Sequence, residues 1–307
     1  ENHEAYEDKN TNRIRFRIHP QATVNDHWKV KARLEANTNA EEDTGATVQL
    51  KQAYAMGHYG ITDINAGLMP IYTEQGVVLD DTITGVAVTV GKGQNFSGTL
   101  TAGRINMGDT AVNKKGDTPV YTKDSPVDKE SAALLGLNLN WKPTDKLTFV
   151  GEYYRLTAHN WFVKYGSGDT GTVQNIWGLG ATYMFDENVS MNGGYWKNQN
   201  FNDSRLAHRV PETSDHAWNV QLNYKGAQKE NARSFGLYAA YRYLGHGASL
   251  APTFDGAKWG QKGWEVGGNY TFAKNVVGTL LYFNGKDIER TTDDKVSTVF
   301  GQLQYFF

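Results

Sequence analysis

The sequence predicts an all-β fold, a single transmembrane antiparallel up-and-down β-barrel of sixteen strands spanning residues 1–307, and three observations predict it. Apolar residues recur at every second position in run after run, the links between runs alternate short and long, and aromatic residues gather near the short-link ends of the apolar faces. No segment carries a 3.6-residue apolar period over a helix length, and no uncharged apolar run approaches the ~18 residues of a membrane helix. Barrel strands hide their membrane signal in alternation, because the lumen side stays polar.

Composition sets the bounds. The 307 residues are 39% hydrophobic and include 33 Gly, 17 Tyr and 7 Pro but no Cys, which removes disulfides, thiolate zinc sites and thiol nucleophiles together. A formal net charge of -2 argues against an electrostatic nucleic-acid binder. Glu1 opens an acidic, polar segment without a signal-peptide pattern, so the chain reads as mature or trimmed.

Eight runs alternate cleanly. They carry Ile14, Phe16 and Ile18; Trp28 to Ala36; Leu135 to Trp141; Trp177 to Phe185; Trp218 to Tyr224; Phe235 to Tyr243; Trp264 to Phe272; and the closing Val296 to Phe307. Seven more, near 46–57, 61–70, 82–91, 95–106, 146–157, 188–198 and 275–286, alternate less cleanly. A single-chain bacterial barrel has an even strand number, and these make fifteen. Residues Asn2 to Glu7 are therefore expected to supply the upper end of a first strand, ahead of a descending run from Arg13 to His19.

Short links fall at His58 to Asp63, Gly91 to Asn95, Pro143 to Lys146, Asp186 to Asn188, Gly226 to Ala232 and Ala273 to Asn275. Longer ones fall at 71–81, 107–131, 158–171, 199–213, 246–260 and 287–295. Two unlike ends suit a barrel with short periplasmic turns and long external loops. Trp28, Trp141, Phe185, Tyr224, Phe272 and Tyr305, on apolar faces near the short turns, form the expected girdle at one membrane interface.

Two resemblances sharpen this. The end VSTVFGQLQYFF resembles the C-terminal strand of bacterial outer-membrane barrels, which implies that Leu303, Tyr305 and Phe307 belong to an assembly signal, although the glycine sits one place earlier than in the commonest form. Residues 12–38 (NRIRFRIHPQATVNDHWKVKARLEANT) and 48–81 resemble the first half of the barrel of OmpM-type porins of diderm Firmicutes. That resemblance implies a bacterial outer-membrane location among lipid and lipopolysaccharide, a homotrimer, and passive diffusion of small hydrophilic solutes and ions without a cofactor. In the family a preceding SLH domain holds peptidoglycan. These residues contain no SLH-like region, so tethering would need an N-terminal region outside them.

The chemistry to watch is charge on the lumen face. Arg13, Arg15 and Arg17 alternate with outward apolar residues, and Lys29, Lys31 and Arg33 do the same. With the turn centred near Thr23, Arg15 is expected beside Lys31 and Arg13 beside Arg33, an arrangement that needs water or facing acids. The connection Ile71 to Asp81 carries Glu74, Asp80 and Asp81 and is expected to fold into the barrel opposite this basic wall, with 107–131 as the rival plug. Other sites are weaker: the eight histidines make no HxxxH pair, and Ser167 in YGSGDTG lacks nucleophile-elbow spacing. No catalytic residue and no metal ligand is assigned. The alternatives are a structural or tethering barrel, an oligosaccharide-selective channel and a soluble β-rich glycan-binding protein.

Overall fold

The computed structural model describes residues 12–39, 46–106, 131–157, 173–201, 215–245, 247–288 and 295–307. Its strands are β1 (Arg13–Ile18), β2 (Gln21–Thr23), β3 (Trp28–Asn39), β4 (Thr47–Tyr59), β5 (Thr62–Tyr72), β6 (Asp80–Val90), β7 (Phe96–Asn106) and β8 (Ser131–Thr144). Then follow β9 (Leu147–Thr157), β10 (Val173–Met184), β11 (Val189–Asn198), β12 (His216–Lys225), β13 (Phe235–Leu244), β14 (Gln261–Ala273), β15 (Val276–Asp287) and β16 (Lys295–Tyr305). All sixteen lie in one sheet, each pairing antiparallel with its chain neighbour from β3 onward.

The sixteenth strand arises at a proline. β1 and β2 both pair with β3 and form one run interrupted at Pro20, which has no N–H to give the ladder, while its carbonyl still accepts from the Ala32 N–H at 2.9 Å. The first strand expected at Asn2 to Glu7 lies outside the described residues. At the other edge Phe307 stacks on Phe16 of β1 with ring centroids 5.8 Å apart, so the two ends of the meander meet.

Alternation places the apolar face outward. Leu137 and Val220 are 39% and 45% exposed, as are most of the outward leucines, valines and aromatics, whereas Ile83, Leu134, Leu156, Ile176, Trp196 and Phe283 on the inner face are buried. This inside-out burial matches a surface solvated by hydrocarbon. Of the expected girdle residues, Trp141, Phe185, Tyr224, Phe272 and Tyr305 are exposed and Trp28 is half-buried. β4 alternates poorly because a bulge opposite Arg33 and Leu34 shifts its register, so that Gln52 and Leu50 are their partners.

The hairpin from β1 to β3 corrects one expectation. Its turn is centred near Asp26 rather than Thr23, because the Asn25 side chain accepts from the His27 and Trp28 N–H groups and closes the chain there. Register therefore sets Arg13 opposite Asn39, Arg15 opposite Asn37 and Arg17 opposite Glu35, while Lys31 meets Gln21. The displacement is an even number of residues, so each side chain keeps its predicted face while the like-charge pairs vanish.

Candidate functional site: a lumen crossed by two loops

The connection between β5 and β6 is folded inward. Thr73 closes it: its hydroxyl donates to the Leu79 carbonyl and accepts from the Val78 and Leu79 N–H groups. A 3-10 turn, Glu74–Gly76, forms the tip, and Val77, Val78 and Leu79 behind it are fully buried. Across the lumen the Glu74 N–H donates to Glu152 Oε1 on β9 at 2.7 Å. Gln75 reaches further, donating through Nε2 to the Gly193 carbonyl of β11 and accepting from Asn219 Nδ2 of β12, both at 2.9 Å. These bonds hold Gln75 at φ 55, a conformation that non-glycine residues adopt at a cost.

The landing point is a buried carboxylate. Besides the Glu74 N–H, Glu152 accepts from Asn138 Nδ2, the Tyr154 hydroxyl and Trp196 Nε1, so four neutral donors satisfy it. Trp196 reaches it because Gly178 and Gly194 leave room: a Cβ at either would come within 2.1 Å or 2.4 Å of indole atoms. The Glu74 carboxyl, in the loop beside Glu152, is pushed up to about 6, chiefly by burial and then by the Glu152 charge.

A second loop, described at Gly245 and over residues 247–260, packs onto the first. Leu250 and Ala251 N–H groups donate to the Val78 carbonyl, Asp80 N–H to Ala251, Thr253 N–H to Gly76, and the Ser249 hydroxyl to Val77. Leu250 and Ala248 then complete an apolar cluster with Val77, Val78, Leu79 and the inner-face residues of the wall. This loop has its own anchor, the buried ion pair of Arg242 and Glu265 at 2.7 Å. Phe254 covers the Arg242 guanidinium at 3.7 Å, and the Ala257 N–H donates to Glu265.

On the facing wall, one carboxylate gathers three guanidinium groups. Glu35 takes Arg17 Nη2 at 2.7 Å, with Arg15 Nε at 3.8 Å and Arg33 Nε at 4.0 Å; Asn37 Nδ2 also donates to it. Three cations around one acid leave this patch positive. Asp80 acts electrostatically on Arg33, and Asp255 of the second loop on Arg15. Burial raises the Asp255 carboxyl above its usual range, with Arg15 opposing.

Of the expected acids Asp80 acts on the ladder, where Glu35 and Asp255 join it. The Glu74 backbone N–H meets Glu152 of β9 and its side chain lies beside Gly180 of β10, away from the ladder, and Asp80 and Asp81 stand on β6, paired with Tyr72 and Ile71, not in the loop. Glu35 and Asp255 were missed. Alternation alone placed Glu35 among the basic residues of β3, which was the available signal; nothing local marks Asp255. Lys29 and Lys31 register lower on the wall, opposite Thr23 and Gln21, and Arg13 registers above, opposite Asn39. The rival plug at 107–131 lies, save Ser131, outside the described residues.

A single antiparallel sheet of this order with loops folded inward has the fold of the porin barrels. A family model described as "Putative porin" matches residues 175–299. Among solved structures the chain is similar to Salmonella typhi OmpF in complex with daunomycin, at TM-score 0.59 and 14% identity over 97% of this chain and 92% of that one. It is also similar to an engineered Rhodopseudomonas blastica porin, at TM-score 0.53 and 13% identity over 96% and 90%. No curated protein matches the chain.

Proposed function

We propose that the chain forms a water-filled outer-membrane channel for passive diffusion of small hydrophilic solutes and ions. The observation that carries this reading is the pair of loops pinned across the lumen by Glu152 and by Arg242–Glu265, which narrows the path. The constriction runs between Arg15, Arg17 and Arg33 on one side and Asp80 and Asp255 on the other, with Arg13, Lys29, Lys31 and Asp81 lining the approaches. Charges lining so narrow a path sort ions by sign, because screening at physiological salt extends ~8 Å.

The working unit is a homotrimer. An apolar concavity of about 490 Å³ on β2 to β5, lined by Pro20, Ala22, Val30, Ala32, Ala53 and Ala66, supports this by offering a face of small side chains to a neighbour. Leu303, Tyr305 and Phe307 act as the assembly signal, and kinship with OmpM-type porins rests on residues 12–38 and 48–81. Planar-bilayer recording tests the reading: stepwise, ohmic conductance from the purified chain is expected, and a protein that inserts without conducting would refute it.

A further inference from the structure

Below the constriction the basic wall continues as three cations in single file. Lys29, Lys31 and Arg33 share the inner face of β3 with Glu35, and successive residues on one face of a strand stand about 6–7 Å apart, so each forms one rung of a ladder. Glu35 closes the row at its upper end, 4.0 Å from Arg33 Nε. Below Glu35 there is no Asp or Glu on β3, and none on β2 or β4, the strands that flank the row. Register sets neutral side chains beside the rungs instead: Thr23 and Met56 at Lys29, Gln21 and Tyr54 at Lys31, and Gln52 at Arg33.

This row has more positive charge than the wall answers. Among the described residues no ion pair reaches Lys29 or Lys31. Arg33 Nε is buried without a hydrogen-bond partner, whereas buried donors are ordinarily satisfied. Asp80 and Glu35 act on Arg33 from the constriction above. Asp63 of β5, opposite His58 of β4, is already held by His58 at 2.6 Å and by Lys92. Lys29 is exposed and Lys31 half-buried, so both rungs remain open to solute. Attraction of anions in general would be served as well by cations scattered round the lumen. A single file does something further, because neighbouring rungs can hold the two ends of one molecule.

We propose that Lys29, Lys31 and Arg33 bind small organic dianions, dicarboxylates whose carboxylates stand about one rung apart, on the short-turn side of the two loops. Capture of one carboxylate raises the local concentration of the other at the next rung, so a dianion gains over a monoanion of the same length. Ammonium and guanidinium groups both form charge-assisted bonds to carboxylate, the guanidinium as a fork. The inference deepens the channel reading above and rests on it for the solute's access to the row.

The test records the full chain in planar bilayers with chloride as the mobile anion and adds adipate, whose extended carboxylates stand about one rung apart, or its monomethyl ester. A second ion pair at a solvated site is worth up to about fivefold in affinity, so adipate is expected to half-block the current at about three- to fivefold lower concentration than the ester. K31Q leaves its neighbours two rungs apart and should bring the two probes level, whereas K29Q keeps the step from Lys31 to Arg33 and should keep most of the preference. Equal block by the two probes in the parent overturns the inference, and so does an equal loss of preference in K29Q and K31Q, which a diffuse positive field would give. If K31Q does not assemble, the parent decides: malonate, equally charged but too short to span a rung, should block less well than adipate, and equal block by the two dianions overturns bridging. Calorimetric titration of the same probes into the detergent-solubilised chain separates the site from the channel. Preference in a chain that does not conduct would remove the channel reading and leave the site standing; conductance without preference would do the reverse.

Discussion

The carboxyl of Glu74 provides a titratable handle on the inward loop. Its native value of about 6 lies above the ordinary 4.5, so its ionised form is disfavoured where it sits. A gap of that size corresponds to about 2 kcal/mol, and partial solvent access reduces it to about 1–2 kcal/mol. The sign follows from the elevation: the associated stability is complete below about 4.5 and lost as pH rises through about 6. Hydrogen exchange at the Val78 and Leu79 amides, both bound to Thr73, reads local opening of the loop. After correction for intrinsic base catalysis, their protection should fall about 5- to 30-fold between acidic and neutral pH. E74Q should remove that dependence and leave the loop closed at neutral pH. An unchanged pH slope in E74Q, or protection that rises with pH in the parent, would refute the account.

The remaining expectations concern the wall, the membrane face and the chain end. R15Q/R17Q/R33Q should move the zero-current potential in a salt gradient toward cations and D80N/D255N toward anions, both shifts shrinking at molar salt, where screening falls to ~3 Å; shifts of the opposite sign would place the constriction elsewhere. On β7, L100R on the exposed outer face should cost roughly 2–4 kcal/mol in a reversible unfolding titration, whereas T101R on the inner face should be tolerated. Equal costs would defeat the assignment of faces. Deleting Phe307 removes one aromatic stack, worth about 0.5–1.5 kcal/mol. A much larger loss of assembled barrel in cells, with in vitro stability falling only that far, is expected of an assembly signal; proportionate losses would make Phe307 merely a packing contact.

Much of the fold was legible because a period of two survives on the outer face whatever the lumen does. The runs that alternated less cleanly show where it was obscured. Ile83, Ile105, Leu156 and Val277 are apolar on the inner face, so both faces of their strands read as hydrophobic. Ile83, Ile105 and Leu156 belong to the apolar cluster under the two loops. A lumen lined only by water would have left these positions polar and the alternation clean. Irregular alternation in a barrel sequence is thus itself a sign that loops fold inward, though it does not say which loops.

The candidate site was legible in kind but not in partner, and the reason is register. Whether a residue faces the lumen depends on parity, which an error of six in the paired positions preserves; which residue it meets depends on the turn, and the turn was set by the Asn25 side chain. Hence Arg13, Arg15, Arg17 and Arg33 were placed on the correct face with the wrong neighbours, and the like charges that seemed to demand an acidic loop are relieved first by Glu35 on the same strand. That changes what the inward loops have to do. Glu35 already holds the three guanidinium groups in place on the wall, so Asp80 and Asp255 are not needed to position them, and their own positions depend instead on the Val77–Leu79 and Leu250 cluster and the Arg242–Glu265 anchor. The basic wall and the acids facing it are therefore built independently, so substitutions that alter the charge of one should leave the placement of the other intact and change ion preference without changing the fold.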